Sequence, residues 1–272
     1  MSPVFFNIYI DCVIDKITDL DIGCYFRGFF SGIWLYADDI ILLSASVSGL
    51  QHMIDACILE LENVDLAVNI LKTKCMRIGR RYKAIDTPVA INGSSIQWCN
   101  QLSYLGMVFT TSAIFKCNLH ENKANFFRAA NSILSRVGCK NIPVLMSLVF
   151  SKCMSMLTYG VTAIMLKKYE FSKLDNCLVL FLAKIFGTFN KNILQQCLYY
   201  TGYLPVSLIV ALNKMKFLSS FAQLENYNDT LFYFLKLVAL EELLVLSEAY
   251  NINENVSHRN RKKKMWSYFE GT

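Results

Sequence analysis

Hydrophobic and polar positions follow different patterns in the two halves of the chain, and the pattern changes near residue 112. Before it, short apolar runs alternate with turn residues; after it, the chain reads as long apolar helices. In the first half, residues 3–19 and 48–69 carry apolar positions at helical spacing, the former behind a Ser2-Pro3 pair typical of a helix start. Between them, residues 32–44 read GIWLYADDIILLS, which predicts a tight β-hairpin with a polar tip at Ala37-Asp38.

Further β elements are predicted after the second helix. Residues 75–78 read as a short strand, 89–91 and 95–98 as a hairpin around Asn92-Gly93, and 104–110 as another strand. The second half predicts helices separated by glycines and prolines, over residues 120–137, 143–166, 170–187, 190–200, 205–225 and 229–250. The pattern therefore predicts an α+β chain in three parts: a small antiparallel sheet with two helices in residues 1–112, an all-α domain in 113–250, and a basic flexible tail in 251–272.

The apolar stretch over residues 144–166 has two interpretations, a membrane span or a packed helix. It has 23 residues, about bilayer length, with Lys152 as its only charge. A lysine at the centre of a span costs about 2.5–3.5 kcal/mol, and five serines and threonines recur along the stretch at near-helical spacing. We therefore expect a packed helix of a globular domain rather than a membrane span.

The composition is that of a folded, core-rich protein. Apolar residues make up 54% of the 272 residues and aromatic residues 13%, with only 4 prolines and 12 glycines, which excludes disordered and low-complexity classes. The net charge is +6, and residues 259–264 alone supply five positive charges. The remaining 22 basic residues nearly balance 21 acidic ones, so composition alone indicates no nucleic-acid partner.

Cysteine spacing excludes the common zinc and redox motifs. The ten cysteines never lie closer than 12 positions apart, and only three histidines could complete a metal cluster. The N-terminal residues lack the pattern of a signal peptide. We therefore expect an intracellular protein, nuclear or cytoplasmic, with reduced thiols and no zinc.

Two adjacent carboxylates, Asp38 and Asp39, lie at the tip of the predicted hairpin. Like charges on neighbouring residues repel, and the flanking apolar runs offer little solvation, so a divalent cation would neutralise the pair. The alternative is an ordinary solvated turn, because aspartate is common in turns. These two residues alone leave both interpretations open.

Four motifs in a fixed order give the acidic pair a context. The N-terminal MSPVFFNIYID is similar to an LSPxLFNxYxD motif, Tyr36-Ala37-Asp38-Asp39 to a YADD box, Asn69-Ile70-Leu71-Lys72-Thr73-Lys74 to an NxxKT element, and Ser103-Tyr104-Leu105-Gly106 to a YLG hairpin. Each motif is weak or moderate by itself, but their joint order and spacing are specific. Over residues 1–110 the chain resembles the reverse transcriptase, an RNA-directed DNA polymerase, of non-LTR (LINE-type) retrotransposons, and beyond them it resembles a helical thumb or connector more weakly.

The resemblance implies a partial polymerase palm in residues 1–112, a thumb-like domain in 113–250, and two-metal nucleotidyl transfer. Asp38 would be a catalytic ligand of both Mg²⁺ (or Mn²⁺) ions, with Asp39 as a lesser ligand. Lys72 would lie near the phosphates of the incoming nucleotide, unless it is an ordinary exposed lysine. The other implied contacts are Tyr104, Leu105 and Gly106 at the primer end, and Ser2, Pro3, Phe6 and Asn7 under the template and nucleotide. For Phe6 and Leu105 the alternative is a core position.

Parts of the family's pattern are missing from the sequence. Two-metal polymerases need a third carboxylate from an earlier strand, and neither that strand nor the fingers appear here. We therefore expect an N-terminally truncated fragment of a transposable element, with weakened Mg²⁺ binding and no activity alone. Its parent would act on an RNA template and a DNA primer, without a small-molecule cofactor. The alternative, from another class, is a non-enzymatic helical scaffold or membrane-associated protein with a relic palm hairpin.

The basic run near the C-terminus has two interpretations. In the first, it contacts nucleic acid nonspecifically or acts as a nuclear-localisation signal, through Arg259, Arg261, Lys262, Lys263 and Lys264, with Trp266, Tyr268 and Phe269 as stacking partners. In the second, it is a solvated tail without a partner.

Overall fold

A computed structural model describes residues 2–85, 87–164, 166–224, 230–252 and 257–270 of the chain. The chain divides into two compact units, Met1–Cys117 and Asn118–Thr272. The first unit combines helices with short strands, and the second is helical. The structure is therefore of the mixed α+β class that the sequence predicts.

The first unit is built on two helices and a β-hairpin. In chain order its first elements are α1 (Ser2–Asp19), β1 (Tyr25–Phe26), β2 (Phe29–Phe30), β3 (Ile33–Tyr36), β4 (Asp39–Leu42) and α2 (Val47–Asn63). The helices bury a shared core, to which α1 contributes Ile10, Val13 and Ile17 and α2 contributes Met53, Cys57 and Leu61. This core lies against the β3–β4 hairpin, because spacings of three and four residues place the apolar side chains on one side of each helix. The helix predicted over 3–19 and the hairpin predicted over 32–44 are confirmed.

Helix α2 has well-defined ends. The Ser46 side chain accepts a hydrogen bond from the Gly49 N–H at 3.0 Å, which caps the N-terminus. At the other end Asp65 has a left-handed φ of 55°, and the Leu66 N–H donates to the Leu61 carbonyl at 2.8 Å. This is a Schellman arrangement, which stops the helix at Asn63. The predicted end at residue 69 is therefore wrong.

The remaining strands of the first unit are short. They are β5 (Lys74–Cys75), β6 (Ala90–Ile91), β7 (Ser94–Ser95), β8 (Gln97–Trp98), β9 (Gln101–Tyr104), β10 (Met107–Thr110) and β11 (Cys117–Asn118). The turn predicted at Asn92-Gly93 joins β6 to β7, but β8 pairs in parallel with β5 instead of extending that hairpin. The single strand predicted over residues 104–110 is also wrong, because left-handed φ angles of 46° and 73° at Leu105 and Gly106 reverse the chain between β9 and β10.

The second unit consists of helices. They are α3 (His120–Val137), α4 (Ile142–Lys152), α5 (Met154–Thr158), a 3₁₀ turn (Val161–Ala163), α6 (Lys168–Phe186), α7 (Lys191–Tyr200), α8 (Val206–Ala222), α9 (Thr230–Ala249) and α10 (His258–Glu270). The helix predicted over 143–166 breaks into pieces. Its break is held by the buried Asn122, whose side-chain amide donates to the Met156 and Tyr159 carbonyls at 3.2 and 3.0 Å, and Gly160 follows with a left-handed φ of 69°.

The expected flexible tail is wrong for residues 258–270, which form helix α10. Arg261, Met265 and Phe269 recur every four residues and are buried. Arg261 is only 3% exposed, and its guanidinium donates to the Met215 carbonyl at 2.9 Å and to Ser219 Oγ at 3.2 Å. Its burial removes Arg261 from the set of predicted nucleic-acid contacts. Arg259, Lys262, Lys263 and Lys264 are exposed on the same helix.

Among the residues that the structure describes, no single helix is long and apolar enough to cross a membrane. The helices Lys168–Phe186 and Lys191–Tyr200 together have the length and apolar composition of a membrane span, and the chain bends by 86° between them.

Candidate functional site

The β3–β4 hairpin has one buried and one open face. Its register pairs Ile33 with Leu42, Trp34 with Ile41, Leu35 with Ile40, and Tyr36 with Asp39. The Ile33, Leu35, Ile40 and Leu42 side chains pack onto the α1–α2 core. The period of two along a strand therefore places Trp34, Tyr36, Asp39 and Ile41 on the open face, where Trp34 and Tyr36 are 45% and 61% exposed.

The tip of this hairpin holds the two predicted metal ligands. Asp38 is the second residue of the two-residue loop, and Asp39 begins β4 directly opposite Tyr36. Both carboxylates are exposed. Ala37, the first loop residue, has a left-handed φ of 52°, a conformation that costs a residue other than glycine about 1–2 kcal/mol. The core beneath the hairpin thus holds an acidic tip on a strained turn.

The structure brings a second predicted motif to this tip. Burial raises the pKa of the Tyr104 hydroxyl above its ordinary value, and the negative charge of Asp39 and the nearby Tyr36 raise that pKa further. Tyr104 is thus within electrostatic reach of both hairpin residues, although 65 positions separate it from Asp39 in the sequence. The YADD and YLG motifs are therefore close enough for their charges to interact.

The YLG motif itself forms the turn between β9 and β10. Tyr104 pairs with Met107, so Leu105 and Gly106 are the two loop residues, and both have left-handed φ angles. A two-residue hairpin loop with two such residues has the twist that suits antiparallel strands. Leu105 is 42% exposed. The alternative that Leu105 is a core residue is wrong.

The NxxKT motif forms a turn after α2. The Lys72 N–H donates to Asn69 Oδ1 at 3.1 Å, and the Thr73 hydroxyl donates to the Asn69 carbonyl at 2.9 Å. Asparagine commonly closes a turn with its own side chain. The motif therefore fixes the backbone before β5, and it leaves the Lys72 side chain exposed.

The remaining predicted substrate contacts lie on α1. Phe6 is half-buried and packs against the α1–α2 core, in agreement with its core alternative. The side chains of Ser2, Pro3 and Asn7 lie outside the described part of the structure. Sequence reasoning missed Trp34 and Ile41, which share the open face with Asp39. The alternation of the hairpin was the signal that could have identified them.

The acidic pair fits one divalent ion better than two. Mg²⁺ commonly binds through one or two carboxylates and completes its octahedron with waters and substrate phosphates. Two exposed neighbouring carboxylates match that requirement. Within the described ranges, however, no three His, Cys, Asp or Glu side chains come together as a metal site, so a third protein carboxylate for a two-metal centre is missing there.

No protein-family model matches this chain, and no curated protein matches it.

Proposed function

We propose that Met1–Cys117 is part of the palm of a LINE-type reverse transcriptase and that its acidic tip, Asp38 and Asp39, serves metal-dependent nucleotidyl transfer on an RNA template and a DNA primer. The helical second unit is, in this proposal, the thumb or connector of the same retrotransposon polymerase. The observation that carries the proposal is the position of two adjacent exposed carboxylates on a strained two-residue tip above a two-helix core.

The other motifs support the proposal through their positions. Tyr104 of the YLG turn lies within reach of Asp39, as a residue that holds a primer end beside the metal would. Lys72 is exposed on a turn whose backbone Asn69 fixes. That arrangement suits a lysine that contacts phosphate, because the side chain is free to extend while its attachment point is rigid.

In this function each residue of the tip has a distinct task. Bound Mg²⁺ would neutralise the negative charge that develops on the reacting phosphate. Asp38 and Asp39 would hold the ion at the open face, and the left-handed Ala37 would fix the direction in which the carboxylates project. Tyr36 and Tyr104 would border the same space and limit the access of water to it.

The first experiment measures metal binding by calorimetric titration with Mn²⁺. Asp38→Asn/Asp39→Asn should abolish one weak site, because it removes both ligands. The matched control is Asp15→Asn/Asp19→Asn, which removes an exposed acidic pair on α1 and should leave that site intact. Equal heats for the wild type and both variants would refute the proposal.

The same ligand count predicts that this chain alone extends no primer. With two tip carboxylates and no third one beside them in the described residues, synthesis on a primed RNA template with Mg²⁺ or Mn²⁺ should not exceed that of an Asp38→Ala/Asp39→Ala variant. Extension above that background would show that a third ligand is available.

A non-enzymatic helical scaffold is the second candidate. The absence of a three-ligand cluster from the described residues favours it, and it requires no ion at the hairpin. A missing Mn²⁺ site would therefore favour the scaffold over the polymerase fragment.

A further inference from the structure

One segment of the first unit is strongly basic, although the unit as a whole has a negative net charge. Residues 72–83, called here the basic loop, contain Lys72, Lys74, Arg77, Arg80, Arg81 and Lys83. No acidic residue occurs between Asp65 and Asp86. The unit as a whole has nine basic and eleven acidic residues, so two thirds of its positive charge lies in these twelve positions. Such clustering creates a local positive potential on a unit of negative net charge.

The basic loop is held in place by one of its own arginines. The Arg77 guanidinium donates to the Ala84 carbonyl at 2.6 Å and lies 4.6 Å from the centre of the Trp98 ring. Two turns shape the segment between them, in which the Tyr82 N–H donates to the Gly79 carbonyl at 3.0 Å and the Ala84 N–H to the Arg81 carbonyl at 2.9 Å. The loop therefore loses less conformational entropy when it binds a partner than an unstructured tail would.

The other cations of the basic loop are exposed, and the Lys83 ammonium lies 5.5 Å from the centre of the Tyr82 ring. Arg77 is half-buried, whereas the exposed positions are Lys72, Lys74, Arg80, Arg81 and Lys83. This difference in exposure indicates two different roles. Arg77 orders the loop, and the remaining cations are available to an anionic partner.

The basic loop lies away from the acidic tip. The Gly79 N–H donates to the Ser112 carbonyl at 2.9 Å, just past the C-terminal end of β10. Tyr104, which approaches Asp39, is at the opposite end of that hairpin. At about 3.4 Å per residue, the three steps of β10 from Met107 to Thr110 separate these two ends by about 10 Å. The Gly79 end of the loop, which includes Arg80, Arg81 and Lys83, is thus separate from the tip, whereas Lys72 belongs to the proposed tip site.

We propose that the exposed cations of the basic loop bind the phosphate backbone of a nucleic-acid strand, with Arg80, Arg81 and Lys83 as the main contacts. The inference rests on the proposed polymerase function for its choice of partner. Guanidinium groups form paired hydrogen bonds with phosphate oxygens. Binding at a membrane surface typically uses an amphipathic helix with an apolar face, whereas this segment is a two-residue strand followed by turns.

The test measures fluorescence anisotropy of a labelled 20-nucleotide single-stranded RNA in EDTA, so that the metal site takes no part. Arg80→Gln/Arg81→Gln/Lys83→Gln should weaken binding about tenfold or more and reduce the slope of log affinity against log salt by up to about 2, which is roughly 0.7 for each lost phosphate contact. Lys262→Gln/Lys263→Gln/Lys264→Gln removes the same charge from exposed positions of α10 and should have the smaller effect. Arg80→Lys/Arg81→Lys/Lys83→Arg keeps the charge and should retain the salt slope, which separates loss of charge from loss of folding.

Several results would overturn the inference. Equal losses in the basic-loop and α10 variants would indicate only nonspecific attraction to net charge. Unchanged affinity in the basic-loop variant would place the contacts elsewhere. Vesicles that contain phosphatidylserine serve as a second probe, and loop-dependent binding to them without binding to RNA would make the partner a lipid surface. Asp38→Asn/Asp39→Asn removes negative charge and should therefore not weaken RNA binding in EDTA, so failure at the acidic tip and failure at the basic loop are distinguishable.

Discussion

The two compact units distribute charge and core in opposite ways. Met1–Cys117 has nine basic and eleven acidic residues, whereas Asn118–Thr272 has eighteen and ten. The more positive unit nevertheless uses part of its charge internally: Arg261 is buried, and Lys214 pairs with Glu242. The less positive unit concentrates its cations on one ordered loop. Local spacing and exposure, rather than net charge, therefore indicate where an anionic partner can bind.

The units differ equally in how they are stabilised. The largest fully buried side chains of the second unit include Phe126, Leu145, Leu157 and Phe181, on helices that pack together. The first unit divides its core between two smaller clusters, with strands of two to four residues. Its candidate site lies on turns above those clusters, where side chains are exposed. We expect substitutions in the second unit to cost stability, and substitutions at the turns of the first to change binding.

The largest effect is expected from Phe181→Ala in α6. Phe181 is 2% exposed, and its ring meets the Phe126 ring edge-on at a centroid distance of 6.1 Å. Removing a buried phenylalanine typically costs about 3–5 kcal/mol. The measurement is urea unfolding followed by circular dichroism. Leu180→Ala, on the same helix but 53% exposed, is the control and should cost less than about 1 kcal/mol. Equal costs for both variants would contradict the assignment of Phe181 to the packed core of the second unit.

The next effect is expected from Arg261→Ala in α10. Two hydrogen bonds from the buried guanidinium to Met215 and Ser219 would be lost. Hydrogen bonds that involve a charged group contribute about 1.5–3 kcal/mol each, but removing the guanidinium also removes the cost of burying its charge. A loss of about 2–4 kcal/mol is therefore expected in the same unfolding experiment. Arg259→Ala, at an exposed position two residues before Arg261, should have almost no effect. If both substitutions are neutral, residues 258–270 behave as the flexible tail that the sequence predicts.

A smaller, pH-dependent effect is expected from Asp175→Asn. The Asp175 carboxylate accepts a hydrogen bond from the Ser207 N–H at 2.9 Å at the start of α8, and burial raises its pKa above the ordinary value in spite of that bond. The folded state therefore binds this proton more tightly than the unfolded state. The stability of the wild type relative to Asp175→Asn should be highest below the unfolded-state pKa and should fall as pH rises through the raised folded-state pKa. Unfolding experiments at several pH values test this sign, and a difference that grows with pH would contradict it.

The smallest effect is expected at the acidic tip. Ala37→Gly removes the strain of a left-handed alanine and adds entropy to the unfolded chain, so the net gain in stability should be at most about 1 kcal/mol. Thermal unfolding measures it. Ala45→Gly, in the exposed loop before α2 and without a left-handed φ, is the control and should destabilise slightly. Destabilisation by Ala37→Gly as well would mean that the tip carries no strain.

The β3–β4 hairpin and most helices follow from the sequence, because their apolar periods of two and 3.6 are uninterrupted. The elements that sequence reasoning missed depend on residues without a strong local signal. Asp65 ends α2 where glycine is the usual residue. Leu105 adopts a left-handed φ that its side chain disfavours. Both conformations are stabilised by contacts that form only in the folded chain.

Two further features were not predicted from the sequence because of how charged residues are distributed in it. In α10 the basic run obscured the four-residue spacing of Arg261, Met265 and Phe269, which fixes the helix. In the first unit, the net charge of the whole chain gave no indication of the basic loop. The acidic pair at residues 38 and 39 was found from the sequence, but its proximity to Tyr104 depends on how the β9–β10 hairpin lies relative to β3–β4. A single sequence does not specify that packing.

The most direct test of the proposed metal-binding tip is paramagnetic relaxation by Mn²⁺ in a protein with ¹³C-labelled tyrosine rings. Its effect falls off steeply with distance, so it reports both whether an ion binds and where. We predict that the Tyr36 and Tyr104 signals, assigned with phenylalanine variants, broaden at the lowest Mn²⁺ concentrations. Tyr82 of the basic loop and Tyr233 of α9 should broaden only later, and Asp38→Asn/Asp39→Asn should remove the difference. Uniform broadening of all four tyrosines in the wild type would contradict a metal site at the acidic tip.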